Sequence, residues 1–123
     1  MPFKKNKFDL VTVSFGLRNF SDIDQSLSEI KRIIKKGGKF YCLEFSEINN
    51  RTFRKLFGIY SKIIPFYGKI ILNNKEAYSY LVESIKEFPN QILLTKKLLK
   101  VGFKNIEVFD ILDGIASIHI CEL

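Results

Sequence analysis

The sequence is poor in histidine and cysteine, which supply the nitrogen and sulfur ligands of metals. Its 123 residues include one histidine and two cysteines, and the cysteines lie far apart. Cys42 and Cys121 each fall within an apolar, strand-like run, where a free thiol packs as a small hydrophobe. A zinc site and a disulfide framework are both disfavoured, and metal chemistry would have to rest on carboxylates alone. We therefore predict no metal site.

Long apolar runs are also missing. No stretch approaches the roughly 18 apolar residues of a membrane-spanning helix, and the first residues, MPFKKNKFDL, lack the apolar segment of a secretory signal. Hydrophobic residues nonetheless make up 46% of the chain and mean hydropathy is +0.03, which suffices for one buried core. We expect a single domain over residues 1–123, located in the cytoplasm.

Acidic residues are absent between residues 48 and 75, where six basic residues lie, and the whole chain carries a net charge of +7. Such a charge is typical of nucleic-acid-binding proteins, but no RNP-like or helix-turn-helix pattern accompanies it. An abundance of Lys, Ile and Asn is also what an AT-rich genome produces. We predict no nucleic-acid partner.

The first 45 residues have the pattern of a βαβ unit. Residues 8–15, FDLVTVSF, read as a strand buried on both faces. Ser21 or Asp22 can cap a helix with apolar residues at spacings of three and four, which ends at the glycines of residues 35–38. A second strand follows over residues 39–45. A strand, a helix and a strand joined in this way form a right-handed crossover, so we expect the two strands to be parallel.

The remainder of the chain predicts helices and then a hairpin. Residues 51–72 mix aromatic and basic residues with Gly58, Pro65 and Gly68, which favours short broken helices. Two further helices are expected over residues 75–88 and 90–102, and an antiparallel hairpin over residues 105–123. The fold class is therefore α/β: a parallel βαβ pair, then helices, then an antiparallel C-terminal hairpin. This is the arrangement of the C-terminal half of a Rossmann-like methyltransferase domain.

Several motifs point to one family. The segment SFGLRN at residues 14–19 and the pattern NxxxYxYLxESI at residues 74–85 occur in that order, with KGG at 36–38 and LEFS at 43–46 between them. In these motifs the chain resembles the quinone-biosynthesis C-methyltransferases, the UbiE family. The resemblance implies S-adenosylmethionine as cofactor and a polyprenyl quinol as substrate, which is methylated on a ring carbon in ubiquinone or menaquinone biosynthesis.

The resemblance also implies cofactor contacts at the end of the first strand. Ser14, Phe15 and Gly16 match the positions involved, and open parallel sheets bind their ligands at the carboxyl ends of the strands. A strand-end hydroxyl bonded to the backbone and an ordinary glycine turn are the structural alternatives for Ser14 and Gly16.

The resemblance places the catalytic residues at Arg18, Asn19 and Tyr78. Attack by a quinol ring carbon requires the adjacent phenol to lose or share its proton. A guanidinium can stabilise the phenolate that develops, and an amide can orient a water that accepts the proton. The structural alternatives are that Arg18 is a surface cation, that Asn19 is a turn residue and that Tyr78 packs in the core.

Substrate contacts are expected at Glu44, at Tyr60 and within a helical substrate-recognition insert over residues 48–88. Residues 51–72 combine apolar and basic side chains, which suits a quinol tail and a peripheral contact with anionic lipid, at the inner membrane face. Glu44 could instead end its strand in solvent, and the insert could be a plain lid packed on the domain.

The glycine-rich loop and ribose-binding acid of such enzymes are not found in these residues. We therefore expect the chain to act only with a first half supplied in trans, or to be a fragment, a split gene product or a decayed gene. The alternative class is a non-catalytic remnant or self-association module, in which the strand at residues 8–15 joins two copies into a homodimer.

Overall fold

The computed structural model describes residues 1–71 and 75–123, without the side chains of Ser61, residues 63–71, Lys75 and Tyr78. It contains four strands, which are β1 (Phe8–Ser14), β2 (Ile34–Phe45), β3 (Lys104–Ile111) and β4 (Ala116–Glu122). The four α-helices of the described residues are α1 (Ile23–Ile33), α2 (Arg51–Ile71), α3 (Lys75–Glu87) and α4 (Gln91–Val101). Short 3-10 turns span Leu17–Asn19 and Leu112–Gly114.

The four strands form one mixed sheet in the order β1-β2-β4-β3. β1 and β2 are parallel, with Val11 opposite Phe40 and Ser14 opposite Leu43. β4 is antiparallel to both β2 and β3. The predicted α/β class, the parallel βαβ pair and the C-terminal hairpin are therefore confirmed.

Local capping explains where two helices begin. The Asp22 carboxylate accepts a hydrogen bond from the backbone N–H of Gln25 at 2.9 Å, and so satisfies one free donor at the start of α1. The Asn90 side chain does the same for the N–H of Leu93 at 3.0 Å, at the start of α4. α4 then ends at Gly102, whose φ of 108° lies in the left-handed region, as predicted from the sequence.

The glycine pair at residues 37–38 does not cap α1. β2 begins directly at Ile34, and the pair lies within it as an irregularity in the pairing with β1. Gly37 has a φ of 77°, and a Cβ on Gly38 would lie 2.7 Å from the Ile34 side chain and 2.9 Å from the Asp9 carbonyl oxygen. The pair is thus required by a bulge in the strand rather than by the end of the helix.

One face of the sheet carries the core. α1 and α4 bury Leu27, Ile30, Leu94 and Leu98 against it, and all four side chains are at most 1% exposed. Burial of such a side chain contributes about 1.5–3 kcal/mol. These two helices therefore hold β2 and β4 in place and fix the strand ends.

β1 is less buried than its composition predicts, and the expectation that it is covered on both faces is wrong. It lies at the sheet edge, pairs within the described residues with β2, and leaves Leu10 50% exposed. Phe109 on β3 is 51% exposed as well. The reason is that the core formed by α1 and α4 lies on one face, with Val11 and Val13 packed against it.

α2 is one continuous helix of 21 residues that passes through Gly58, Pro65 and Gly68, so the prediction of short broken helices is wrong. Its start is fixed by the Asn50 side chain, which accepts hydrogen bonds from the N–H groups of Thr52 and Phe53. An interior proline costs about 3 kcal/mol and a mid-helix glycine about 1 kcal/mol relative to alanine, and the cap and the amphipathic pattern must offset these costs. No helix of the described residues is both long and apolar enough to cross a membrane.

Candidate active site

The segment after β1 turns sharply at the carboxyl end of the parallel pair. Phe15 has a φ of 50°, donates its backbone N–H to the Leu43 carbonyl at 2.8 Å, and packs its ring against Phe45 at 4.7 Å. Ser14 is exposed and Gly16 is half-buried. The three residues predicted to contact the cofactor therefore lie together at the carboxyl ends of the parallel strands, where open parallel sheets bind ligands.

Arg18 is held by several partners at this end of the sheet. Its Nη1 lies 3.0 Å from the Glu44 carboxylate and donates to the Phe15 carbonyl at 2.6 Å, while its Nε donates to the Ser84 hydroxyl at 3.3 Å. The guanidinium also lies over the Phe45 ring, 5.3 Å from its centroid. Arg18 thus connects the turn after β1, the end of β2 and helix α3.

Glu44 forms the buried side of this ion pair. Its side chain is 2% exposed, and it accepts a second hydrogen bond from the backbone N–H of Arg18 at 3.3 Å. Removing one partner of a buried pair leaves the other charge unpaired, at a cost of about 3–5 kcal/mol. Glu44 therefore fixes both the backbone and the guanidinium of Arg18, and its described side-chain hydrogen bonds are both to this residue.

Asn19 lies beside Arg18 and has a partner that the sequence did not identify. The Tyr80 hydroxyl donates to Asn19 Oδ1 at 3.1 Å, and Asn19 Nδ2 donates to the Phe15 carbonyl at 3.4 Å. The side chain of Tyr78, the predicted catalytic tyrosine, lies outside the described residues. The pattern NxxxYxYLxESI contains both tyrosines, but spacing alone gave no reason to choose Tyr80.

Tyr60 lies on α2 and is 59% exposed. The Tyr60 ring contacts the ring of Phe57 on the same helix, and the two centroids are 6.4 Å apart. Within the described contacts, the structure does not bring Tyr60 to Arg18, Asn19 or Glu44. Its assignment to the substrate stays a prediction.

The thiols and the histidine are unsuited to nucleophilic or base chemistry here. Burial raises the pKa of Cys42 to about 12, with a smaller contribution from Glu44, and burial raises the pKa of Cys121 to about 12. His119 is 1% exposed, 3.2 Å from the Gln91 carbonyl, and burial lowers its pKa. In the described part of the chain, no three His, Cys, Asp or Glu side chains are grouped to hold a metal ion.

The fold is similar to those of solved methyltransferases. A SAM-dependent methyltransferase from Thermotoga maritima matches 99% of this chain with a TM-score of 0.68 and 17% identity, over 59% of its own length. Another SAM-dependent methyltransferase, from Aquifex aeolicus, matches 99% of this chain with a TM-score of 0.61 and 12% identity, over 49% of its length. At these identities the similarity shows the fold alone.

Sequence similarity to curated proteins is closer. The mitochondrial 2-methoxy-6-polyprenyl-1,4-benzoquinol methylase of Bos taurus and the ubiquinone/menaquinone biosynthesis C-methyltransferase UbiE of Methylococcus capsulatus are each 42% identical over 97% of this chain. The chain spans 36% and 48% of their respective lengths. The model of the ubiE/COQ5 methyltransferase family matches residues 1–122, which confirms the resemblance drawn from the motifs. The chain therefore belongs to the ubiE/COQ5 methyltransferase family.

Proposed function

We propose that this chain takes part in the C-methylation of a polyprenyl quinol ring, with S-adenosylmethionine as methyl donor. The observation that carries the proposal is the buried pair of Arg18 and Glu44 at the carboxyl end of the parallel strands, with Asn19 beside it. A preorganised cation at the carboxyl ends of the strands can stabilise negative charge that develops on a bound ring. Family membership supplies the class of reaction.

Each polar side chain of this cluster has a proposed role. The Arg18 guanidinium stabilises the oxygen of the quinol as its proton leaves. The Asn19 amide, oriented by the Tyr80 hydroxyl, holds the water that accepts this proton. Tyr78 is retained as a further candidate for binding that water. With S-adenosylmethionine bound, the ring carbon would take the methyl group as the sulfur–methyl bond breaks and leaves its electron pair on sulfur, and the ring carbon would then lose its own proton.

Ser14, Phe15 and Gly16 are proposed to contact one side of the cofactor. The exposed Ser14 hydroxyl can bind a polar group. A Cβ added at Gly16 would make ordinary van der Waals contacts with the Val13 side chain at 3.5 Å and the Ser14 carbonyl at 3.7 Å, so the fold leaves room for one further atom beside this backbone. These features fit a ligand that lies against the strand end. When bound, S-adenosylmethionine supplies a methyl group on a positively charged sulfonium.

The insert at residues 48–88, which contains α2 and α3, is proposed to recognise the substrate, with Tyr60 as a candidate contact. Glu44, which precedes the insert and is 2% exposed, is proposed to act on the substrate through Arg18. On α2, Leu56, Ile59 and Tyr60 are 58–60% exposed, and the exposed cations Arg51, Lys55 and Lys62 lie on the same helix. Apolar side chains flanked by cations are typical of helices that lie on anionic membranes. We therefore propose a peripheral contact of the chain with the inner membrane face.

A second candidate function is self-association without catalysis. The exposed edge of β1, where Leu10 is 50% exposed, favours pairing with another polypeptide. That polypeptide is either a second copy of this chain or the portion of the family domain that this chain does not span. The second possibility agrees with the first proposal, because the added portion would supply the remaining cofactor contacts.

Titration calorimetry with S-adenosylmethionine tests these proposals on the chain alone. We expect weak or undetectable binding, and micromolar affinity would show that no further portion is needed. Mixing the chain with the unmatched portion of the Methylococcus capsulatus relative should then produce methyl transfer from labelled S-adenosylmethionine to a demethylmenaquinol or methoxybenzoquinol. Formation of a stable complex without methyl transfer would favour the non-catalytic alternative.

A further inference from the structure

Ser84 of α3 contacts Arg18, and the roles proposed above make no use of this contact. The Arg18 Nε–H donates to the Ser84 hydroxyl oxygen at 3.3 Å. The Ser84 hydroxyl donates in turn to the Leu81 carbonyl of the same helix at 2.9 Å. Because a serine hydroxyl has only one proton, the bond to Leu81 leaves its oxygen as an acceptor toward Arg18. Ser84 is therefore held in the state that a neighbouring cation requires.

The ion pair with Glu44 fixes only one corner of the guanidinium. One carboxylate oxygen accepts from Nη1 at 3.0 Å, and the other accepts the backbone N–H of Arg18 at 3.3 Å. A carboxylate that bonded two guanidinium nitrogens side by side would fix the plane of the group, and this one does not. The Phe15 carbonyl also accepts from Nη1, at 2.6 Å. These bonds converge on one nitrogen and do not by themselves set the plane.

The bond from Nε to Ser84 provides the second fixed corner. A guanidinium has five N–H groups, of which Nη1 and Nη2 carry two each and Nε one. Glu44, the Phe15 carbonyl and Ser84 together accept three of them, at Nη1 and Nε. The described contacts include no partner for Nη2. The two N–H groups of Nη2 are therefore available to a bound molecule, and their direction depends on Ser84.

α3 meets the turn at Leu17–Asn19 through one of its faces. Tyr80 and Ser84 are four residues apart and so lie on the same side of the helix. Ser84 bonds to Arg18, and the Tyr80 hydroxyl bonds to Asn19 at 3.1 Å. Two adjacent residues of the turn thus each have a partner on this face of α3. Docking of the helix on the turn orders both side chains at once.

We propose that Ser84 is a positioning residue, which sets the plane of the Arg18 guanidinium and so directs Nη2 toward the bound substrate. Ser84 acts through Arg18 and needs no contact with the substrate. Its effect on methyl transfer rests on the function proposed above, whereas the orientation of the guanidinium rests on the described contacts. α3 thereby has a role besides recognition of the substrate, because its docking completes the arrangement of the cation.

Proton exchange at Arg18 Nε tests the contact in the chain without any ligand. The sequence has four arginines, so the Nε–H signals are few in a nitrogen-15 NMR spectrum, and Arg18→Lys identifies the one in question. A hydrogen-bonded proton exchanges slowly with water. We expect Ser84→Ala to speed the exchange of this proton at least tenfold. Ser79→Ala, at an exposed serine of the same helix, is the control and should leave the exchange unchanged.

Kinetics of the reconstituted enzyme test the positioning role. Ser84→Ala should lower kcat by about tenfold to a hundredfold, as expected for loss of one hydrogen bond to a charged group, with an unchanged KM for S-adenosylmethionine. A misaligned guanidinium stabilises the quinol oxygen less as its proton leaves, so the acid limb of the pH profile of kcat should move to higher pH. A simple loss of folded protein would lower kcat equally at every pH.

A pair of variants with matched shape isolates the hydroxyl. Ser84→Thr keeps the acceptor and should retain the slow exchange and the wild-type pH profile. Ser84→Val has nearly the same shape without the hydroxyl and should behave as Ser84→Ala does, so it also provides the test if the alanine variant does not fold. Circular dichroism checks the fold of each variant.

The outcomes separate the orientation of Arg18 from the proposed reaction. Fast exchange in Ser84→Val but not in Ser84→Thr, without methyl transfer by the reconstituted wild-type enzyme, would support the orientation and reject the quinol chemistry. Exchange that stays slow in Ser84→Val would overturn the contact. Fast exchange with an unchanged kcat and pH profile would overturn the positioning role.

Discussion

The Arg18 guanidinium lies 3.0 Å from the Glu44 carboxylate, and the two side chains are only 10% and 2% exposed. This ion pair crosses from the turn after β1 to the end of β2, and the Glu44 carboxylate also accepts the backbone N–H of Arg18. The cation that we propose to act on the substrate therefore has its position set by a residue that is itself almost inaccessible. Stability and catalysis should both depend on this contact.

Replacing Glu44 should destabilise the fold. Glu44→Ala leaves the Arg18 charge buried without its partner, so we expect the free energy of unfolding to fall by about 3–5 kcal/mol, with a smaller loss for Glu44→Gln. Urea unfolding followed by circular dichroism measures the change, with Glu107→Gln on the exposed surface of β3 as the matched control. An unchanged midpoint for Glu44→Ala would contradict the ion pair described here. The double replacement Arg18→Met, Glu44→Leu should recover part of the loss.

Arg18 and Ser14 should affect different kinetic quantities in the reconstituted enzyme. Arg18→Ala removes a transition-state contact, so we expect turnover to fall by about two to four powers of ten with nearly unchanged cofactor affinity. Ser14→Ala should mainly raise the dissociation constant for S-adenosylmethionine. Steady-state kinetics and calorimetry make the comparison, and unfolding curves identify any loss of folded protein. Identical effects of the two changes on turnover and affinity would mean that the strand end had simply been disrupted.

The edge of β1 should mediate association of the chain. Sedimentation velocity at high micromolar concentration is expected to show a dimer or larger species, and Leu10→Lys should reduce it because a charged edge disfavours strand pairing. Val11 is less suitable for this test, since it packs against the core. Phe109→Lys, at the other edge strand and 51% exposed, is the control. Wild-type protein that stays monomeric would remove the basis of the prediction, and a stronger effect of Phe109→Lys would move the contact to β3.

α2 should bind anionic vesicles. We expect co-sedimentation with phosphatidylglycerol vesicles, weak binding to phosphatidylcholine vesicles, and weakening at high salt because the attraction is partly electrostatic. Leu56→Glu and Ile59→Glu should each reduce binding severalfold. The control is Leu99→Glu, on α4 and 55% exposed. Equal losses for all three variants would indicate a general effect of charge rather than a contact through α2.

The free energy of unfolding should fall on acidification because His119 is buried in the folded chain. Burial lowers the pKa of this side chain below its ordinary value of 6.5, so the unfolded chain binds the proton more readily than the folded one. The resulting stability is present above pH 6.5 and is lost as the pH falls below 6.5 through the lowered pKa of the folded state. Urea unfolding at several pH values measures the slope, and His119→Gln should flatten it in this window. An equal slope in both proteins would assign the pH dependence to other groups.

The parts of the fold that follow from local sequence were predictable. Asp22 and Asn90 mark helix starts, Gly102 marks a helix end, and the alternation of residues 105–123 indicates a hairpin. The bulge at Gly37 and Gly38 was not predictable, because two glycines after a helix are compatible with a cap as well as with a strand irregularity. The open edge of β1 was expected, but which of its faces is covered was not predictable, since an apolar strand reads as buried whether or not a second layer covers it.

In the candidate site, the resemblance proposed Arg18 and Asn19, but only the tertiary structure identified their hydrogen-bond partners. Glu44 and Ser84 lie 26 and 66 residues from Arg18 in the sequence, and Tyr80 lies 61 residues from Asn19. No local pattern reports contacts of that range. The continuity of α2 was not predictable either, because a proline and two glycines indicate breaks, whereas the cap at Asn50 indicates only where the helix begins.

The strand order has a consequence for synthesis of the protein on the ribosome. β2 lies in the middle of the sheet and pairs with β4, so that Phe40 is opposite Cys121, 81 residues later. At translation rates of about 5–20 residues per second, Phe40 waits roughly 4–16 s for that partner. During this interval the βαβ unit can form, but the apolar side chains of β2 lack the strand beside them. The nascent chain should therefore depend on chaperones until β4 has been synthesised.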